Sequence, residues 1–277
     1  MSETTTFNTF WHGRALSPVE QACLRSFVSM GHQIQLFAYD NITVPDGVAL
    51  ADAREIMPAD RLFTFCDSLA AFSDVFRFKL LFEKGGWWID TDVLNLKANI
   101  PECDYYWACE SPGRINGAVL KFPPGDPACG ELLRISEQRS RNLTRWGEIG
   151  PDLLTEVLAG FAPPRLEGSN GNAYPLHWLE AHFVWLPEFL DEVEQRVRNS
   201  PFVHLWNYMF KLMGINIYAK PPSNSFLSTQ YRVLNIETEQ LQSEALCRKS
   251  IYSYLSGLGP DRCAHFGKKL EQLLPHP

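Results

Sequence analysis

The segment Leu69–Leu96, LAAFSDVFRFKLLFEKGGWWIDTDVLNL, decides the fold. Leu69, Phe72, Phe76 and Leu80 recur at helical spacing and Gly85-Gly86 is a terminator, so a helix is expected over residues 68–84. The apolar Trp87-Trp88-Ile89 reads as a buried strand that runs directly into Asp90-Thr91-Asp92. Both carboxylates then arrive at the carboxyl end of that strand, where open α/β sheets hold their ligands.

Upstream, Phe7 to Trp11 (FNTFW) reads as a short buried strand, and Ser17-Pro18-Val19-Glu20 offers an N-cap, an N1 proline and a capping-box glutamate. The helix that starts there stops at Gly31, and QIQLFAY from residue 33 alternates at strand period. Strand, helix and strand in this order imply a parallel sheet, and hence an α/β fold. Downstream, WACES and GAVLKF (107–111 and 117–122) read as strands and ELLRISEQRSR and PDLLTEVLAG (131–141 and 151–160) as helices. Residues 163–180 read as loop, LPEFLDEVEQRVRN as an amphipathic helix, and FVHLWNYMF as an aromatic segment before the Pro221-Pro222 turn. One domain over 1–225 with a peripheral helical extension over 226–277 is the expected organisation.

Composition agrees with a well-packed core: 277 residues, 45% hydrophobic and 13% aromatic, rule out disordered and fibrous classes. No apolar run approaches the roughly 20 residues of a spanning helix. The first residues lack the basic and apolar regions of a secretory signal, so a cytoplasmic protein without an integral membrane segment is expected. The seven cysteines include no CxxC pair and read mostly as reduced core thiols. A net charge of −7 with no dense basic tract argues against nucleic acid as a partner.

Asp74 and Arg77 lie three apart on the expected helix and share a face; by themselves they make an ordinary ion pair. Asp90 and Asp92 are two apart in extended chain, which turns both carboxylates to one side. A hard cation such as Mg²⁺ or Mn²⁺, which bridges carboxylates to substrate phosphates, would relieve their repulsion. An isolated DxD is also a common solvated turn. Here it follows an apolar strand, a Gly-Gly and a helix carrying an Asp/Arg pair.

That order, SDxxR, spacer, GG, apolar strand and DxD, resembles the sugar-binding DXD-motif glycosyltransferases. The group includes initiating mannosyltransferases, α-1,4-galactosyltransferases and bacterial capsule and lipopolysaccharide enzymes, and the clostridial glucosylating toxin domains are similar. FWHGRALS resembles the family's first strand, placing Trp11 against a nucleobase; Gly150-Pro151-Asp152-Leu153-Leu154-Thr155 resembles its GP..LT helix start. HLWN resembles the late motif that returns His204 and Trp206 to the diphosphate. Trp87-Trp88 departs from the family, which usually has a smaller or single aromatic residue there.

The resemblance implies a GT-A-like, Rossmann-type mixed sheet and a retaining, metal-dependent transfer of a hexose from a nucleotide diphosphate sugar, with UDP as the expected nucleotide. Asp92 would ligate Mn²⁺ or Mg²⁺, Asp90 would contact the ribose or the metal, and His204 would complete the metal or phosphate contacts. Asp74 and Arg77 would hold donor sugar and diphosphate. Asn116, expected in a loop between two strands on the sugar side, would contact the sugar or the acceptor. The acceptor is a glycan, a lipid-linked saccharide or a protein, compatible with surface polysaccharide synthesis and transient membrane contact. Two other readings stay open: a haloacid-dehalogenase-like phosphatase with Asp90 as nucleophile, and a non-catalytic nucleotide-sugar binding protein.

Overall fold

The computed structural model describes residues 4–160, 173–238, 240–241 and 244–258. Over these residues the chain divides into two compact units, the first being Met1–Leu16, Cys23–Pro175 and Asn199–His204. The second is Ser17–Ala22, Leu176–Arg198 and Leu205–Pro277.

The first unit is built on β1 (Thr6–Trp11), α1 (Pro18–Ser29), whose first turn belongs to the second unit, β2 (Gln33–Ala38), β3 (Val48–Asp52), α2 (Ala70–Lys84) and β4 (Gly86–Ile89). It continues through β5 (Val93–Asn95), β6 (Tyr106–Ser111), β7 (Arg114–Phe122), α3 (Pro127–Arg139) and α4 (Pro151–Gly160). Six strands form one mixed sheet in the order β3-β2-β1-β4-β7-β6. The first four are parallel, and β7 is antiparallel to both β4 and β6. The expected mixed sheet flanked by helices is therefore found. β3 is an addition: VALAD has no clean alternation and is half-buried at the sheet edge.

Local chemistry sets the boundaries. Glu20 accepts from the Ser17 N–H at 2.7 Å and Ser17 Oγ accepts from the Val19 N–H at 3.2 Å, the reciprocal cap expected at the start of α1. Ser68 caps the first turn of α2 from outside, through Ala70 N–H to Oγ at 3.2 Å, so the helix begins two residues later than expected. It ends at Gly85, with φ 64°, where an added Cβ would come 2.5 Å from the Pro124 nitrogen.

Aromatic residues cover both faces of the sheet. Phe10, Phe37, Phe72, Phe76 and Trp88 pack together beneath α2. Phe7, Phe27, Trp87, Tyr106 and Phe202 form a second group. The adjacent tryptophans of β4 divide between these layers because successive strand residues face opposite ways.

β8 (Phe202–His204) returns to the first unit and pairs antiparallel with β5, Val93 opposite His204. The segment read as one aromatic stretch is thus split between a strand and a helix. After β8, Trp206 adopts a left-handed conformation, φ 62°, before α6 (Asn207–Leu212).

The second unit comprises the 3₁₀ helices of Trp178–Val184 and Pro187–Phe189, α5 (Leu190–Val197), α6, β9 (Ala219–Lys220), α7 (Phe226–Val233), β10 (Gln240–Leu241) and α8 (Glu244–Ser256), with the first turn of α1. The helical expectation beyond 226 holds for α7 and α8, with a two-stranded β9–β10 ladder added. The expected loop at 163–180 lies outside the described residues as far as 172, as does the extension from 259; the last three residues of that loop are helical instead, because His177 and Glu180 form a reciprocal cap that starts the Trp178–Val184 helix. Among the described cysteines Cys23, Cys129 and Cys247 are buried, whereas Cys66 is exposed and Cys103 and Cys109 are partly so. Cys263 lies outside the described residues. No helix of the described residues is long and apolar enough to cross a membrane.

Candidate active site

The order of the sheet locates the site. From β1 the chain moves to β2 and β3 on one side and then comes back to β4 on the other, so the topological switch point lies between β1 and β4. Trp11 ends β1, and Asp90 and Asp92 follow β4 in the parallel neighbour. Both lie at the carboxyl ends where such folds bind ligands.

Asp90 is held from three sides. Its N–H donates to the Ala118 carbonyl of β7 at 2.8 Å. Its Oδ1 accepts from Arg77 Nη2 at 2.8 Å and from Trp88 Nε1 at 2.7 Å. Arg77, buried in α2, also donates through Nη1 to Asp74 Oδ1 at 3.0 Å. The i,i+3 pair is therefore one end of a continuous Asp74–Arg77–Asp90 chain, not an isolated ion pair. Arg77 Cζ lies 5.2 Å from the Trp88 ring centroid, an added cation–π contact. Burial raises the pKa of Asp74 to about 7, opposed by Arg77 and reinforced by Asp90.

The β5–β8 ladder puts His204 beside Asp92, with Nε2 3.2 Å from Asp92 Oδ1. Burial disfavours the imidazolium, but Asp92, then Asp90 and Glu110, raise the His204 pKa overall. Asp90, Asp92 and His204 each offer a ligand atom within 4.8 Å of the others. Two unit charges at that separation repel by roughly 3 kcal/mol at an effective dielectric of about 20. Two carboxylates and an imidazole suit Mn²⁺, which accepts a nitrogen donor beside oxygens, better than the harder Mg²⁺, so of the two expected ions these residues fit Mn²⁺.

Asn116 requires correction. It lies in β7, since the turn at Pro112-Gly113 (φ 73°) is tight and the strand begins at Arg114. Its amide Nδ2 donates to Glu110 Oε2 at 2.6 Å, and its Oδ1 accepts from the Ala118 N–H. Glu110 also pairs with Arg114 at 2.6 Å, and Arg114 with Asp152 at 2.7 Å. Trp11 Nε1 is buried without a hydrogen-bond partner among the described residues. Trp206 belongs to the second unit, where its indole donates to the Leu176 carbonyl at 3.0 Å.

Three residues have a role here that the sequence reading did not assign to them. Trp88 is the indole donor to Asp90; its signal was its position two before that carboxylate, on the same strand face. Gly117 makes room for Arg77, because a Cβ there would lie 1.9 Å from Nη1; a glycine inside a strand often marks such a close approach. Tyr174 donates to the Asn116 carbonyl and places its ring edge-on to His204, 5.7 Å between centroids. No local pattern marked it.

Fold and site together define an α/β protein with a mixed sheet and a candidate cation site at its switch point. No family model matches the chain. It is 25% identical over 201 residues to an alpha-1,4-N-acetylglucosaminyltransferase of Homo sapiens, across 62% of this chain. The matched region spans 56% of that relative, little over half its length. Similar solved structures include the PaToxG glycosyltransferase, with a TM-score of 0.45 and 11% identity over 86% of this chain and 88% of that one. Another is the apo-form glycosyltransferase GlyE of Streptococcus pneumoniae, at 0.43 and 12% over 92% and 64%. The expected resemblance to glycosyltransferases is borne out by the curated relative, while the fold assignment stands on the sheet order itself.

Proposed function

We propose that the protein is a retaining, metal-dependent glycosyltransferase that takes a hexose from a nucleotide diphosphate sugar, with UDP as nucleotide. The observation that carries this reading is the convergence of Asp90, Asp92 and His204 within 4.8 Å beside an arginine already bound to Asp90. Asp90, Asp92 and His204 would hold the cation, which when bound would supply positive charge for the diphosphate leaving group. Arg77 adds a fixed cation from the other side of Asp90, in place before the reaction and so free of reorganisation cost. Asp74 and Arg77 would contact donor sugar and diphosphate, Asn116 the sugar, and Trp11 the base.

The buried, unpartnered Trp11 Nε1 at the switch point supports a polar ligand there. The acceptor is a saccharide, consistent with the transfer named in the curated relative, and polysaccharide synthesis is the corresponding role.

Hydrolysis of UDP-, GDP- and CMP-sugars with and without Mn²⁺ tests the reading, with Asp92→Ala as control. Slow release of sugar from one UDP-hexose, dependent on Mn²⁺ and lost in Asp92→Ala, is expected. Hydrolysis of a phosphorylated metabolite with no turnover of any nucleotide sugar would instead make Asp90 a phosphatase nucleophile and sink the proposal.

A further inference from the structure

We propose that Trp88 is a positioning residue for the metal site: its indole N–H fixes the rotamer of Asp90, committing Oδ1 to the protein and leaving Oδ2 for a divalent cation. This deepens the metal-dependent reading and rests on it.

Trp88 is 1% exposed, so its N–H needs an acceptor inside the protein. The acceptor is Asp90 Oδ1 at 2.7 Å, two residues on along the same face of the chain. Arg77 Nη2 donates to that same oxygen at 2.8 Å. Rotating the Asp90 carboxyl would break both bonds together, so the two oxygens have distinct assignments. Oδ1 is occupied by two donors, while Oδ2 has no hydrogen-bond partner among the described residues. The ring is itself fixed, with Phe76 at 6.4 Å between centroids and the Arg77 guanidinium at 5.2 Å. One side chain thus orders both groups that contact Asp90 Oδ1: itself through N–H, and Arg77 through its ring.

Trp87 supplies an internal control. It precedes Trp88 on β4 but packs into the other layer, against Phe7, Tyr106 and Phe202. Truncation to phenylalanine costs similar volume at either position, but only at 88 does it remove the donor to Asp90.

The test is direct Mn²⁺ titration of the whole chain without nucleotide, followed by the electron paramagnetic resonance signal of the free ion. Wild type, Trp88→Phe, Trp87→Phe and Asp92→Ala are compared. Removing an outer partner of a metal ligand typically weakens metal binding by about 10- to 100-fold. Trp88→Phe should raise the Mn²⁺ Kd at least about tenfold, Trp87→Phe should leave it unchanged, and Asp92→Ala should abolish binding.

Wild-type affinity in Trp88→Phe alongside loss in Asp92→Ala would overturn the positioning role and leave the metal site standing. No Mn²⁺ binding by wild type would overturn both. If Trp88→Phe does not fold, β-(3-benzothienyl)alanine at position 88 keeps the ring system and replaces N–H with sulfur. The same loss of affinity is expected, and unchanged affinity would overturn the proposal.

Discussion

Gly117 sits mid-strand with no turn to explain it, and its reason is Arg77. A methyl at this position would lie 1.9 Å from Nη1 and 3.2 Å from Leu154 Cδ1. The guanidinium is the end of a flexible side chain and yields more readily than the strand. Gly117→Ala should therefore fold, at a cost of about 1–3 kcal/mol for overpacking, while the proposed donor turnover falls on the order of 100-fold because the cation proposed to act on the diphosphate is displaced by about an ångström. Steady-state kinetics beside a thermal melt separate the two effects. Asp74 gives a prediction of opposite character. Burial raises its pKa from 3.8 to about 7, so between these values the folded chain holds a proton that the unfolded chain does not, and stability falls as pH rises through that window. In a metal-free buffer, the Tm of Asp74→Asn relative to wild type should rise between pH 4 and pH 8, even as the proposed transferase activity is lost. A constant difference across that range would show that Asp74 carries no such burial cost.

The turn between α1 and β2 holds the buried His32, whose ring meets Phe7 edge-on at 5.5 Å between centroids. Burial lowers its pKa below 6.5, opposed by the Lys97 and Ala98 backbone. Here the unfolded chain binds the extra proton, so the stability this group contributes is complete above pH 6.5 and declines as pH falls towards the folded pKa. His32→Phe should flatten the loss of Tm between pH 7.5 and pH 5.5, measured by calorimetry. Elements also explain what the sequence made legible. α1, α2, α4 and β4 carried their own caps, periodicity and terminators, so their positions could be read locally. β5 and β8 could not, because each is three residues long and exists only by pairing with the other. For that reason the neighbourhood of His204 and Asp92 rested on resemblance, whereas the Asp90/Asp92 spacing was legible from strand geometry. The Trp88 bond to Asp90 lay within one short stretch of sequence, yet the pair of tryptophans read only as a packing anomaly.

Across the molecule, a net charge of −7 keeps free phosphates at a distance, and the carboxylates at the switch point concentrate that charge where a diphosphate would have to dock. A divalent cation would resolve the conflict, so under the proposed function metal should stabilise the fold as a ligand. At a hundredfold excess over its Kd, Mn²⁺ should add about 2.7 kcal/mol, or roughly 5 °C in Tm for a chain of this size, and Asp92→Ala should remove the shift. The most direct measurement is calorimetric titration of UDP into the wild-type protein and Asp92→Ala, each with Mn²⁺ and with EDTA. Binding that appears only in wild type with Mn²⁺ is the expected result. UDP binding of equal strength in EDTA, or in Asp92→Ala, would contradict a donor site organised around Asp90, Asp92 and His204.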